Sequence, residues 1–226
     1  MNAAPAYSIR SLTHSYDGKV ALEIPVLDIP SGRICAFLGP NGCGKTTLLS
    51  ILALLMTPSS GRVLLDGEDT ADCLDPCLRR KVTLVHQRPV LFSASVRHNI
   101  AYGLHARGVP AREIRRRVRL MVDAMNLAAV ADKPARRISG GEAQRAVLAR
   151  ALVLETPILL LDEPTNSLDE ASKPLLASLL REANRQRGAT VLIAAHDLGF
   201  VSSLADLIFE MGGGRVKGGR ELRSPA

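Results

Sequence analysis

Apolar and polar positions change period several times along this chain, and each change marks an element. Tyr7-Ser-Ile-Arg-Ser-Leu12 and Val20-Ala-Leu-Glu-Ile24 alternate as half-buried strands do, with a turn at Asp17-Gly18 between them. Ile34–Leu38, Val82–Val85, Ile158–Leu161 and Thr190–Ala194 are short continuous apolar runs, the pattern of strands buried on both faces. Pro58-Ser-Ser-Gly61 breaks the chain before a short strand and turn at Arg62–Gly67, and the tail reads as strand, glycine turn and strand over 208–217. Between these the period lengthens. A helix is expected from Thr46, a mostly helical region over about 95–155, and another helix over about 171–186. Within the second of these, Ile114, Val118, Met121, Val122 and Met125 fall on one helical face, with the methionines as core filler. Ser139 with Glu142 three residues later is a capping box, opening a helix that should run until Pro157 stops it. Alternating strands and helices predict an α/β fold with a mainly parallel sheet.

Bulk composition narrows this only a little. The chain has 226 residues, 46% apolar and 23% charged, enough for a substantial core in one domain or two intimate subdomains. It has no apolar run of about eighteen residues and no leader-like N-terminus, so a cytoplasmic protein is expected. The net charge of +7 is concentrated in Arg112, Arg115, Arg116, Arg117 and Arg119 and near the C-terminus. It is read as a solvated helix face, and with only 3% aromatic residues no nucleic-acid partner is expected. Cys73 and Cys77 flank an Asp-Pro turn and, with Cys35 and Cys43, make neither a disulfide framework nor a zinc set.

The chemistry starts at Gly39-Pro40-Asn41-Gly42-Cys43-Gly44-Lys45-Thr46-Thr47, which has the spacing G-x-x-x-x-G-K-[ST]. A strand before it and a helix after it aim several N–H groups and a helix N-terminus at one spot, which suits a polyphosphate. Gly42 and Gly44 let the backbone wrap closely. Lys45 would reach the β- and γ-phosphates, and Thr46 would ligate Mg²⁺. A thiol at a helix N-terminus has a lowered pKa, so Cys43 should react with a maleimide and be protected by bound ATP. Asp162, ending a buried strand, suits Mg²⁺, and Glu163 beside it could polarise an attacking water. All these groups follow strand C-termini, where open α/β sheets bind ligands.

The set GPNGCGKTT, His86-Gln87, ISGGEAQRA at 138–146, ILLLDEPTNSLD at 158–169 and AAHD at 194–197 resembles the nucleotide-binding subunit of ABC transporters over residues 7–210. The resemblance implies one ABC ATPase domain over 1–226, its core at about 1–86 and 157–226 and a helical subdomain at about 87–156. That fold is a phosphate-loop NTPase core with an N-terminal antiparallel β part and an inserted α-helical subdomain. It implies ATP and Mg²⁺ as ligands, with Tyr16 on adenine, Lys45, Thr46 and Thr47 on phosphate and metal, and Gln87 and Asp162 at Mg²⁺. Glu163 becomes the general base and His196 the switch histidine. Ser139, Gly140 and Gly141, followed by Glu142, match the signature that contacts the γ-phosphate of a second cassette, and Asp169 a loop that crosses between the two. A homodimer, separate permease subunits and an extracytoplasmic solute-binding protein follow, at the cytoplasmic face of a membrane. Ile138, Glu142 and Ser167 depart from the commonest family residues without touching the hydrolysis set. The stretch Thr83–Leu104 is similar to cassettes of oxyanion uptake, tungstate above all. The chain ends near 226, so the C-terminal regulatory domain of some molybdate and sugar cassettes is not expected. An exporter cassette, or a non-transport ATPase regulating an envelope complex, stays open beside the importer.

Overall fold

A computed structural model describes residues 4–71 and 75–222; Cys73 lies outside them. Ten strands are described: β1 (Pro5–Tyr16), β2 (Lys19–Pro30), β3 (Ile34–Leu38), β4 (Ser60–Leu65), β5 (Glu68–Asp69), β6 (Val82–Val85), β7 (Ile158–Asp162), β8 (Thr190–Ala195), β9 (Leu207–Gly212) and β10 (Arg215–Glu221). The α-helices are α1 (Lys45–Leu52), α2 (Pro76–Lys81), α3 (Val96–Ala106), α4 (Ala111–Ala124), α5 (Gly140–Leu152), α6 (Ser172–Arg187) and α7 (Leu198–Leu204).

The hairpin β1–β2 closes on Asp17 and Gly18, both at positive φ (48° and 78°), the two-residue turn whose twist matches that of paired strands. It heads an antiparallel sheet in the order β2-β1-β4-β5. The second sheet runs β10-β9-β3-β8-β7-β6, parallel throughout except for β10. Every residue of β7 and β8 is buried, as their unbroken apolar runs require. Alternation along β7 then divides the core. Leu159 and Leu161 face a layer built from α3 to α7, while Ile158 and Leu160 face α1 and the antiparallel sheet. The family fold expected above, an antiparallel β part beside a mainly parallel sheet with helices, is the one observed.

Three local expectations change. Asp75-Pro76 starts α2 rather than making a turn, because the Asp75 carboxylate caps the Cys77 amide at 2.7 Å and proline is pre-set for a first helical position. Helix α5 ends at Leu152, well short of Pro157; the chain leaves it through Glu155 at φ 53°. On α4, Ile114, Val118 and Val122 are buried, with Met125 just beyond, but Met121 is only partly so.

Tyr7 ties the two sheets' shared layer together. It is fully buried, and its hydroxyl donates to the Leu52 carbonyl at the end of α1 at 2.8 Å. Tyr7→Phe removes that donor and leaves a buried carbonyl bare, so urea unfolding should show a loss of about 1–3 kcal/mol. An unchanged unfolding midpoint would mean that the bond contributes nothing.

Candidate functional site

Sheet register gathers the site. Leu38 pairs with Ala195, Asp162 with Ala194, and Val85 with Leu161. The residues just beyond these ends therefore meet at one edge: the glycine loop after β3, His86 and Gln87 after β6, Glu163 after β7 and His196 after β8. Of these, the loop from Asn41 to Thr47 without Cys43, Gln87 and Glu163 border a cleft of about 490 Å³, with Asp162; His86 and His196 are not in its lining.

The loop is shaped by close approaches. Gly44 sits at φ 99°, and a Cβ there would come within 2.6 Å of Leu22 Cδ2 and 2.9 Å of the Ala21 carbonyl. A Cβ on Gly39 would meet the Met211 carbonyl at 2.3 Å, whereas Gly42 has open space around it. The loop is thus pressed between β2 and β9, and α1 begins at Lys45. Lys45 is buried, and its Nζ donates to the carbonyls of Gly39 (2.7 Å) and Pro40 (3.2 Å) and lies 3.6 Å from Glu163 Oε1. Cys43 departs from expectation. Its side chain is buried in the core at 4% exposure, so a maleimide should not reach it with or without nucleotide.

Two carboxylates stand opposite. Asp162 accepts the Thr46 hydroxyl on Oδ2 at 2.8 Å, while its buried Oδ1 has no partner among the described residues. A hydroxyl oxygen next to a carboxylate oxygen with unspent lone pairs is a donor set that fits Mg²⁺. Glu163 takes φ 48° and turns its side chain away from Asp162, so that Oε2 accepts from His196 Nδ1–H at 2.8 Å. Burial pushes the Asp162 carboxyl above the ordinary carboxylate range, and the adjacent Glu163 adds to this against the pull of the Thr46 bond.

Of the remaining residues singled out from the sequence, Tyr16, Asn41, Thr47 and Gln87 line the cleft. Tyr16 is 46% exposed at its rim, its hydroxyl 3.4 Å from Thr47 Oγ1. Ala21 lines it too and was not foreseen; an alanine in a strand gives no chemical signal, and only the crossing of β2 under the loop brings it there. Ser139, Gly140, Gly141 and Glu142 do not border the cleft. They open α5, with Ser139 and Gly140 exposed. The capping box is present: the Glu142 amide donates to Ser139 Oγ, and Ser139 N–H to Glu142 Oε2 at 2.7 Å. Asp169 accepts the Ser172 amide at 2.9 Å.

A strand, a glycine loop and a helix holding a buried lysine, with two acids and a histidine across from it, define a phosphate-loop nucleotide site. Residues 22–166 match the family described as ABC transporter, and the chain belongs to that family. It is 42% identical over 200 residues to a spermidine/putrescine import ATP-binding protein, PotA, of Frankia alni, covering 88% of this chain and 42% of that one. It is 36% identical to the tungstate uptake system ATP-binding protein TupC of Peptoclostridium acidaminophilum, covering 92% and 95%. The chain thus spans less than half of the first relative and nearly all of the second. A dimeric cassette, MJ0796, bound to ADP and Pi has the same fold, with a TM-score of 0.89 at 29% identity over 96% of this chain and 99% of that one.

Because burial raises the Asp162 pKa, the folded chain holds that proton more tightly than the unfolded chain does. The associated stability is present at low pH and is lost as pH rises through the raised value. Asp162→Asn removes the charge, so it should raise the melting temperature of the nucleotide-free protein by a few degrees at pH 7 and hardly at all at pH 4. The same variant should lose Mg²⁺-dependent nucleotide binding. A melting temperature that falls equally at both pH values would contradict the burial argument.

Proposed function

We propose that this chain is the ATP-hydrolysing subunit of a membrane ABC importer and works as a homodimer. The observation that carries this reading is the convergence of Lys45, Asp162 and Glu163 on one cleft, with His196 bonded to Glu163 and the exposed start of α5 lying outside the cleft. Tyr16 stacks on adenine at the rim, and the loop amides hold the phosphates. Lys45 exchanges the carbonyls of Gly39 and Pro40 for the β- and γ-phosphate oxygens. Thr46 and Asp162, with Gln87, would hold Mg²⁺, whose part is to neutralise charge on the β- and γ-oxygens. Water attacks the γ-phosphorus in line, the bond to the bridging oxygen breaks towards ADP, and Glu163 accepts the water proton. His196, tied to Glu163, orients that water and the γ-phosphate.

Ser139, Gly140 and Gly141 form a second anion site at a helix N-terminus. Since they lie off this chain's own cleft, the phosphate they engage belongs to the partner subunit. Separate permeases dock on the helical side. A groove of about 580 Å³ between α3 and α4, with Ala101, Ile114 and Val118 among its lining, supports this. So do Val90 and Phe92 just after Gln87, which are 71% and 46% exposed. None of the helices among the described residues is long and apolar enough to cross a membrane. In this reading the subunit sits peripherally at the cytoplasmic face, and the cargo, delivered by an extracytoplasmic binding protein, is an oxyanion of the tungstate type. The likeness to the tungstate uptake subunit over nearly its whole length supports that choice.

Glu163→Gln cannot accept the proton, so kcat should fall by about 10²–10⁴-fold while an ATP-bound dimer accumulates on size-exclusion chromatography; turnover at the parent rate would sink the assignment. For the cargo, purification from native membranes should bring down a permease and a solute-binding protein that titrates with tungstate in calorimetry. A permease without a binding protein would instead indicate export.

A further inference from the structure

Gln144, on α5, is fully buried, and none of the chemistry above uses it. Its Nε2 donates to the Pro164 carbonyl at 3.1 Å, while its Oε1 has no partner among the described residues. Turning the amide over would press its oxygen against the Pro164 oxygen, two acceptors in contact, so the orientation is dictated by the chemistry. A buried amide with one atom unsatisfied gives back, at its bare oxygen, much of what its bond to the Pro164 carbonyl contributes. Stability therefore does not explain its presence; what the bond holds does.

Pro164 follows Glu163, whose φ of 48° is a strained conformation for a residue with a side chain. Such a turn persists only where its surroundings hold it. On one side, the Glu163 amide donates to the Ala194 carbonyl of β8 at 2.9 Å. On the other, Asn166 N–H reaches the Glu163 carbonyl at 3.3 Å. Pro164 has no N–H to offer, so its carbonyl is its one main-chain handle, and Gln144 takes it. The turn held in this way is what directs the Glu163 carboxylate back to His196 and Lys45. The neighbouring Arg145 adds a bond from Nη1 to Ser172 Oγ at 3.3 Å, so α5 grips the same segment further on.

We propose that Gln144 is a positioning residue for hydrolysis: its amide clamps the Glu163–Pro164 turn and so aims the Glu163 carboxylate. This rests on the reading of Glu163 as the general base. Gln144→Leu removes the donor together with the unpaired Oε1 and leaves the Pro164 carbonyl without its bond, and Gln144→Glu keeps the shape but sets an acceptor against that carbonyl. In the Mg²⁺-ATP assay with the full chain, both should lower kcat by about ten- to a hundred-fold, with KM for ATP changed by less than about twofold. Gln144→Leu exchanges the bare Oε1 for a bare Pro164 carbonyl, so its melting temperature should stay within a few degrees of the parent's; if leucine folds poorly, the unbranched Gln144→Met gives the same comparison. In a Glu163→Gln background, Gln144→Leu should add no further loss to the residual rate. Parent kcat in Gln144→Leu, or a full additional loss in the Glu163→Gln background, overturns the proposal. If Glu163→Gln itself turns over at the parent rate, the base assignment fails first. If it blocks turnover and Gln144→Leu does not, only the clamp fails.

Discussion

Three ionisable groups, Lys45, Asp162 and Glu163, are buried side by side where the parallel strands end, at 6%, 2% and 5% exposure. Burying charge without partners costs several kcal/mol per group, so each must be met by a polar atom at close range. Much of the local structure can be read as meeting that demand. The loop turns its own carbonyls onto Lys45, Thr46 supplies a hydroxyl to Asp162, and His196 faces Glu163. Asp162 Oδ1 and Glu163 Oε1 are left without a hydrogen bond among the described residues, at the point where the proposed metal and water would sit.

The two-faced core lets such a cluster exist. Because β7 and β8 are covered on both sides, their ends are rigid, and adjacent residues at an end diverge. Asp162 continues the strand toward Thr46, while Glu163 breaks into a left-handed turn toward His196. One strand end thus carries two acids with different surroundings. That separation gives the two acids different partners, which the distinct roles proposed for them require.

Helix α5 relates differently to the cleft. Its first residues are turned outward and capped by their own Ser139–Glu142 box, yet its next turn reaches inward to the main chain behind Glu163. The helix whose exposed start is proposed to meet a partner's phosphate is therefore fastened to the segment bearing Glu163. Contacts of this kind join residues 20 apart that carry no common motif.

Much could be read from residue order. The glycine loop, the buried runs, the Asp17-Gly18 hairpin and the capping box are local: each depends on the conformational limits of a few neighbouring residues, and those limits are visible in their identities. The placement of Lys45, Thr46, Asp162 and Glu163 at the cleft was legible for the same reason, since a lysine and threonine after a glycine loop and paired acids at a strand end mark where parallel strands stop. Other features depended on contacts distant in sequence. Burial of the Cys43 thiol against the core overrode its position at a helix N-terminus. Ala21 reached the cleft only because β2 passes beneath the loop, and Gln144 found Pro164 only once α5 lay against the end of β7. Packing chose among conformations that the local chemistry left equally open, because burial and hydrogen-bond satisfaction are properties of the assembled core and of no single segment.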